Sequence, residues 1–226
     1  VARVESGKTE LLSKARNLRT VAYLSDATAL GIYQSFFQHM ASGQIRHLVI
    51  PDFLIPLSRN KDTVASFIGN LNSLIEEGAM QIQTKFMQHK AEAPVRCGLL
   101  TAMAIDMFPE YAKKWRGMGF LSRILPVSWT YNSITANRIM SGIINQQHLE
   151  ESTFNLTIPD DLVEVELSTP CSHKAHLLTM HVLKQNQYTT ELYGFRLQGQ
   201  IQSFLQGHAL LKGETVVSCT DLDCLA

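Results

Sequence analysis

Net charge is the first thing this sequence lacks: 20 Lys and Arg balance 20 Asp and Glu. That balance removes the usual electrostatic pointer to nucleic acid, while leaving room for a local basic face. Long apolar runs are also missing. None approaches the roughly 18 residues of a membrane span, and the start of the chain lacks the charged and apolar regions of a signal peptide. The expected setting is therefore soluble, cytoplasmic and away from membranes. Cysteine is scarce, with Cys97, Cys171, Cys219 and Cys224 too few and too scattered for a disulfide framework, so reduced thiols are expected. Cys171, His173 and His176 form a C-x-H-x₂-H cluster that Cys219 or Cys224 could complete around zinc. No paired C-x₂-C knuckle accompanies it, and it opens an amphipathic helical pattern, so ordinary helix residues are the preferred reading.

What is present begins at the first dozen residues, VARVESGKTELL. Ala2, Gly7, Lys8 and Thr9 fit the phosphate-binding loop pattern with alanine in place of its first glycine. Gly7 lets backbone amides close around phosphate oxygens, Lys8 reaches the outer phosphates, and the Thr9 hydroxyl holds Mg²⁺. A helix expected from Thr9 to Arg16, with Leu11 and Leu12 inward, adds the positive end of its dipole. A loop of this kind follows a buried central strand, and almost nothing precedes Ala2. The chain is therefore expected to be a piece of a longer protein.

The 226 residues, 45% hydrophobic, suffice for one large domain or a core with a small appendage. Apolar runs alternate with helical patterns. Thr20–Ser25 reads as a strand, and Asp26 and Thr28 then start a helix through about Met40. Arg46–Asp52 reads as a second strand, and Lys61–Glu77 as a helix that Gly78 stops. Val95–Ile105 and Ile124–Trp129 supply a third and a fourth strand. Strands separated by helices indicate a parallel sheet in an α/β domain, with ligands beyond the carboxyl ends of the strands. Met103, Met107, Met118, Phe108, Tyr111, Trp115 and Phe120 are read as core or subunit packing, and Lys113, Lys114 and Arg116 as a solvated helix face.

The strand ends carry further chemistry. Leu48, Val49 and Ile50 lead through Pro51 to Asp52, an apolar run ending in a carboxylate suited to holding Mg²⁺ through water. Phe53 stands where a hydrolysing motor places a water-polarising glutamate. Thr101 is a polar residue inside GLLTAMA, and Arg123 precedes the LPVSW run. Beyond a helix expected over Thr135–Glu151 come an extended segment, Ile158–Leu167, and a helix, Ser172–Gln185. The tail has Arg196, a long helix ending at Lys212 and Gly213, and a short Val216–Asp221 segment.

The order of phosphate loop, Asp52 strand, Thr101 strand and Arg123 before a terminal strand resembles the AAA+ ATPase family, and the tail looks like its helical lid. The resemblance implies a three-layer α/β parallel-sheet P-loop NTPase core over 1–150 and a mainly helical C-terminal lid over 151–226. It implies ATP and Mg²⁺ as ligands, with Gly7, Lys8, Thr9 and Arg196 on the nucleotide and Thr9 and Asp52 on the metal. Thr101 would sense the terminal phosphate and orient water. Arg123 would act as an arginine finger supplied across a homo-oligomer, and Arg196 as the sensor-2 arginine. Action on nucleic acid or on a protein complex follows from the family analogy alone. Phe53 is a departure, and leaves open a nucleotide-gated interaction module with weak or no hydrolysis, or a purely structural α/β domain. Asn60, Lys61 and Asp62 lack the intervening residue of N-K-x-D, which favours adenine over guanine, and no arginine-rich lid of a small-molecule kinase appears.

Overall fold

The first seven residues lead directly into α1 (Lys8–Ser13), after which an apolar triplet forms β1 (Val21–Tyr23). The Thr28 side chain accepts from the Gly31 N–H and starts α2 (Ala29–Ala41), satisfying one of the amides that a helix start leaves unpaired. β2 (His47–Ile50) follows, then the single turn α3 (Leu54–Leu57). Asn60 caps α4 (Lys61–Asn72) through the Thr63 N–H, and the helix widens into a π turn, Ser73–Glu77. Gly78 ends it at φ 84°, where a Cβ would sit 2.5 Å from the Pro94 Cβ, so only glycine fits. Next come β3 (Ala79–Gln83), β4 (Gln88–Val95), β5 (Gly98–Thr101), α5 (Phe108–Gly117) and α6 (Ser133–Ile144). β6 (Glu166–Leu167), α7 (Thr169–Gln185), α8 (Phe195–Leu211), β7 (Val216–Val217) and a 3₁₀ turn, Cys219–Leu225, complete the order. This computed structural model describes residues 1–85, 87–145, 163–185 and 195–225.

The chain is mixed α/β and divides into two units, Val1–Leu121 with Pro126–Thr153, and Ser122–Leu125 with Phe154–Ala226. In the first, β1, β2 and β5 make a parallel sheet in that order, with Tyr23 opposite Val49 and Ile50 opposite Thr101. Two parallel bridges extend it: Ala2 pairs with Ala104 on one side and with Trp129 on the other. Leu12 of α1 packs on Val49 and Ala102. Leu48 and Ile50 flank Val49 and point to the opposite face, and all three are buried, so both faces of β2 are covered. Phe37, Phe53, Phe67, Phe120, Ile68, Leu71 and Leu74 are the other large side chains fully buried here.

Several expectations are corrected. The fourth run, Ile124–Trp129, contributes only the bridge at Trp129. The third run is divided: Val95 ends β4, and Cys97 makes the turn into β5 by donating its N–H to Leu74 O. β3 and β4 form an antiparallel hairpin against α2, with Phe37 stacked on His89 at 5.5 Å, where the sequence reading had no strands. Leu11 is exposed while Leu12 is buried, because α1 presents one narrow face to the sheet. Of the Met and aromatic set, Met103, Trp115 and Phe120 are buried, but Met107 and Met118 flank α5 and remain partly exposed. Residues 146–151 of the expected Thr135–Glu151 helix and 158–162 of the expected extended segment lie outside the described residues.

The second unit packs α7 on α8. Cys171, Ala175, Ile201, Leu205, Ala209 and Val217 form its core, and β6 pairs in parallel with β7. Pro170 sits in the first turn of α7, where its missing N–H has no helical acceptor to lose. Gly213, at φ 79°, turns the chain out of α8. Among the described residues no helix is long and apolar enough to cross a membrane.

Candidate nucleotide site

The loop from Ala2 to Lys8 leaves the sheet beside the carboxyl ends of its parallel strands. Ala2 is fully buried between its two bridging partners. Glu5 at φ 64° and Gly7 at φ 72° both have positive φ. The φ of Gly7 disfavours a side chain, and a Cβ would meet the Tyr131 hydroxyl at 2.9 Å, so that hydroxyl would have to shift. Lys8 Nζ donates to Ala2 O at 3.0 Å, to Arg3 O and to Ser6 Oγ at 3.4 Å, so the ammonium closes over its own loop. α1 is only six residues long, so the expected dipole adds little, and the backbone and Lys8 carry the positive character of the loop.

Two aromatic residues far along the chain hold this loop. Trp129 Nε1–H donates to Ser6 O at 3.3 Å, and the Tyr131 hydroxyl donates to the same oxygen at 2.7 Å. Ser6 is buried beneath them. Trp129 ends the fourth expected strand, and Tyr131 lies two residues beyond it. The signal was the W-T-Y spacing, which puts both rings on one side of an extended segment.

Thr101 and Asp52 lie at the ends of the two strands next in order. Thr101 Oγ1 donates to Ile50 O at 2.7 Å. Its proton is thereby committed to the neighbouring strand, and the hydroxyl oxygen can accept from a water but cannot donate to a phosphate. Asp52 is exposed, and its Oδ1 accepts the Leu54 N–H at 3.0 Å, capping α3. Phe53 is 1% exposed and lies within about 6 Å of three rings, Phe67, Trp115 and Phe120. Its N–H donates to Ala102 O, which fixes the side chain inward. The position after Asp52 is therefore a core position. Thr9 is exposed on the first turn of α1.

Arg123 and Arg196 belong to the second unit. Arg123 ends a 3₁₀ turn, Leu121–Arg123, and the Ser122 before it is gripped from α8: Arg196 Nη1 donates to Ser122 Oγ at 2.8 Å and Gln200 Nε2 to Ser122 O at 3.0 Å. The structure thus brings the two arginines into one small assembly, and Gly7, Lys8, Thr101 and Asp52 to one edge of the other unit's sheet. Among the described residues there is no group of three or more His, Cys, Asp or Glu side chains that could hold a metal ion, and Cys171, His173 and His176 lie on α7. No family model matches the chain, and no curated protein matches it significantly.

Proposed function

We propose that this chain binds ATP with Mg²⁺ as an AAA+-like P-loop protein. The observation that carries the reading is the position of Ala2 between two parallel partners, Ala104 and Trp129, so that the loop emerges from the interior of a parallel sheet. Beyond Ala104 the order continues through the strand of Thr101 to that of Asp52. The donor set suits a triphosphate: a left-handed Gly7, a lysine ammonium at the loop mouth, and an exposed carboxylate two strands away. Bound ATP would supply a phosphoryl group, and Mg²⁺ would supply positive charge to offset that of the phosphates.

The chain's own groups would divide the work. Lys8 would exchange the carbonyls of Ala2 and Arg3 for phosphate oxygens, and the Thr9 hydroxyl with the Asp52 carboxylate would hold the metal. Thr101 would orient a water as an acceptor. Arg123 and Arg196, drawn together at Ser122, would serve as finger and sensor in a three-layer core with a helical lid. The large exposed apolar side chains of α6, Ile134, Met140, Ile143 and Ile144, support the homo-oligomer that such an arginine needs. Action on nucleic acid or a protein complex rests on the AAA+ resemblance alone.

A second reading, a nucleotide-gated module with little or no hydrolysis, is favoured by one observation: Phe53 is part of the core and no glutamate follows Asp52. The test is equilibrium binding of a fluorescent ATP analogue together with phosphate release, on the wild type and on Lys8→Ala. Binding that Lys8→Ala abolishes is expected. Sustained phosphate release then identifies a motor, and tight binding without turnover identifies the switch. Absence of binding leaves a structural α/β domain and removes both.

A further inference from the structure

In the second unit two thiols with no shared sequence motif meet. Cys171, in the first turn of α7, is buried in the core between α7 and α8, and Cys219 opens the last 3₁₀ turn and is exposed. Their Sγ atoms are 3.5 Å apart across 48 positions of sequence. The exposed member is held in place by its neighbours. Ser218 N–H donates to Asp221 Oδ2 at 2.7 Å, Ser218 Oγ donates to the same oxygen at 2.9 Å, and Asp221 is itself fully buried. Val217, one residue before Ser218, is locked into the core.

We propose that Cys171 and Cys219 form a reversible dithiol–disulfide site, oxidised by a small disulfide of the glutathione class. Closing the pair to the ~2.05 Å of a disulfide takes about 1.5 Å of approach, within the reach of side-chain rotation and a small shift of the 3₁₀ turn. The two thiols have unequal access, which sets the order of events. The Cys219 thiol loses its proton and attacks one sulfur of the oxidised small disulfide, forming a mixed disulfide and releasing one thiolate. The Cys171 thiol then loses its proton and attacks the Cys219 sulfur, breaking the mixed bond and releasing the second thiolate. Two electrons pass from the protein to the small disulfide, and the two protons appear on its two thiols. Two sulfurs alone are a poor metal site, and no third His, Cys, Asp or Glu joins them among the described residues. Cys97 lies in the other unit, and burial pushes its thiol up to about 12, so it takes no part.

The bridge would tie the start of α7 to the end of the chain, closing a long loop and constraining the unfolded state of this unit. The site stands independently of the nucleotide reading. The test uses the full chain equilibrated in oxidised and reduced glutathione, unfolded under acid quench, alkylated and mapped by mass spectrometry. Expected is the loss of two alkylatable thiols per chain, a Cys171–Cys219 cross-linked peptide that dithiothreitol releases, and a melting midpoint raised by at least about 4 °C. Cys219→Ser, a surface change, abolishes the cross-link and the shift, while Cys224→Ser keeps both. A Cys171 that stays fully alkylatable, a bridge from Cys219 to Cys224, a bond between two chains, or a glutathione adduct that never resolves would each overturn the proposal.

Discussion

Ser6 O accepts two hydrogen bonds from side chains more than a hundred residues away, and that one carbonyl sets how the loop is held. Removing the Tyr131 hydroxyl takes away the shorter bond while leaving the ring, so Tyr131→Phe is expected to cost about 1 kcal/mol of stability. If the loop binds triphosphate, the same change loosens the loop and weakens binding severalfold. Gly7→Ala is worse, since it adds left-handed strain of ~1–2 kcal/mol and a contact with that hydroxyl. Isothermal calorimetry with Mg–ATP and urea melts on both variants separate the two effects, and a Tyr131→Phe protein identical to wild type in both would show the clamp to be idle. In the second unit Asp221 behaves as a structural anion. Burial alone would raise its carboxyl, but hydrogen bonds from the Ser218 N–H, His208, the Ser218 hydroxyl and Lys212 outweigh that and hold it well below the usual carboxylate range. A group depressed in the folded state stabilises above its unfolded value near 3.9, and that stability is lost as pH falls through the folded one. Urea midpoints taken from pH 5 downward are expected to drop from about pH 4. Asp221→Asn, which turns an amide toward the Ser218 N–H, loses about 2 kcal/mol at pH 7 and flattens that acid limb.

At the scale of elements, Phe53 shows how strongly local packing outranks a motif. Its ring sits among Phe67, Trp115 and Phe120, so installing a glutamate at this position would bury a carboxylate in apolar surroundings. Phe53→Glu is expected to destabilise the first unit by at least about 3 kcal/mol without raising phosphate release, as denaturant melts and a turnover assay would show. A folded variant with faster turnover would place the residue at the site instead. The same rule explains what was legible in the sequence. α2 and α4 were readable because Thr28 and Asn60 cap them and Gly78 stops the second at a position only glycine fits. The β3–β4 hairpin was not, since its buried residues are only Ala79, Ala91 and Val95, while Met80, which with Ile82 alternates with Gln81 and Gln83, is exposed. Of the site, Gly7 and Lys8 form a local pattern, whereas the Trp129–Tyr131 clamp is a long-range contact whose one local trace, the W-T-Y spacing, does not say what the rings hold. Arg196 stands out only through the AAA+ resemblance, and its hydrogen bond to Ser122 depends on packing that no spacing encodes.

For the whole molecule, the proposed assembly turns on α6. Ile134, Met140, Ile143 and Ile144 are 77%, 57%, 66% and 74% exposed, and among the named residues of this helix only Gly142 is buried. Four large apolar side chains on one twelve-residue helix make a surface that water disfavours, at roughly 25 cal/mol per Å² left uncovered. A net charge of zero offers no repulsion between copies to oppose their meeting. Under the proposed function the occupant would be a second copy of the chain, apolar against apolar, as an arginine supplied across subunits would require. Ile143→Asp places a charge on that surface at an exposed side chain. Sedimentation velocity over a concentration series is expected to show wild type shifting to larger species as concentration rises, while Ile143→Asp stays at the mass of one chain with an unchanged melting midpoint. Wild type that remains a single chain at every concentration would remove the oligomer, and with it the role proposed for Arg123, while leaving nucleotide binding by Lys8 to stand or fall on its own measurement.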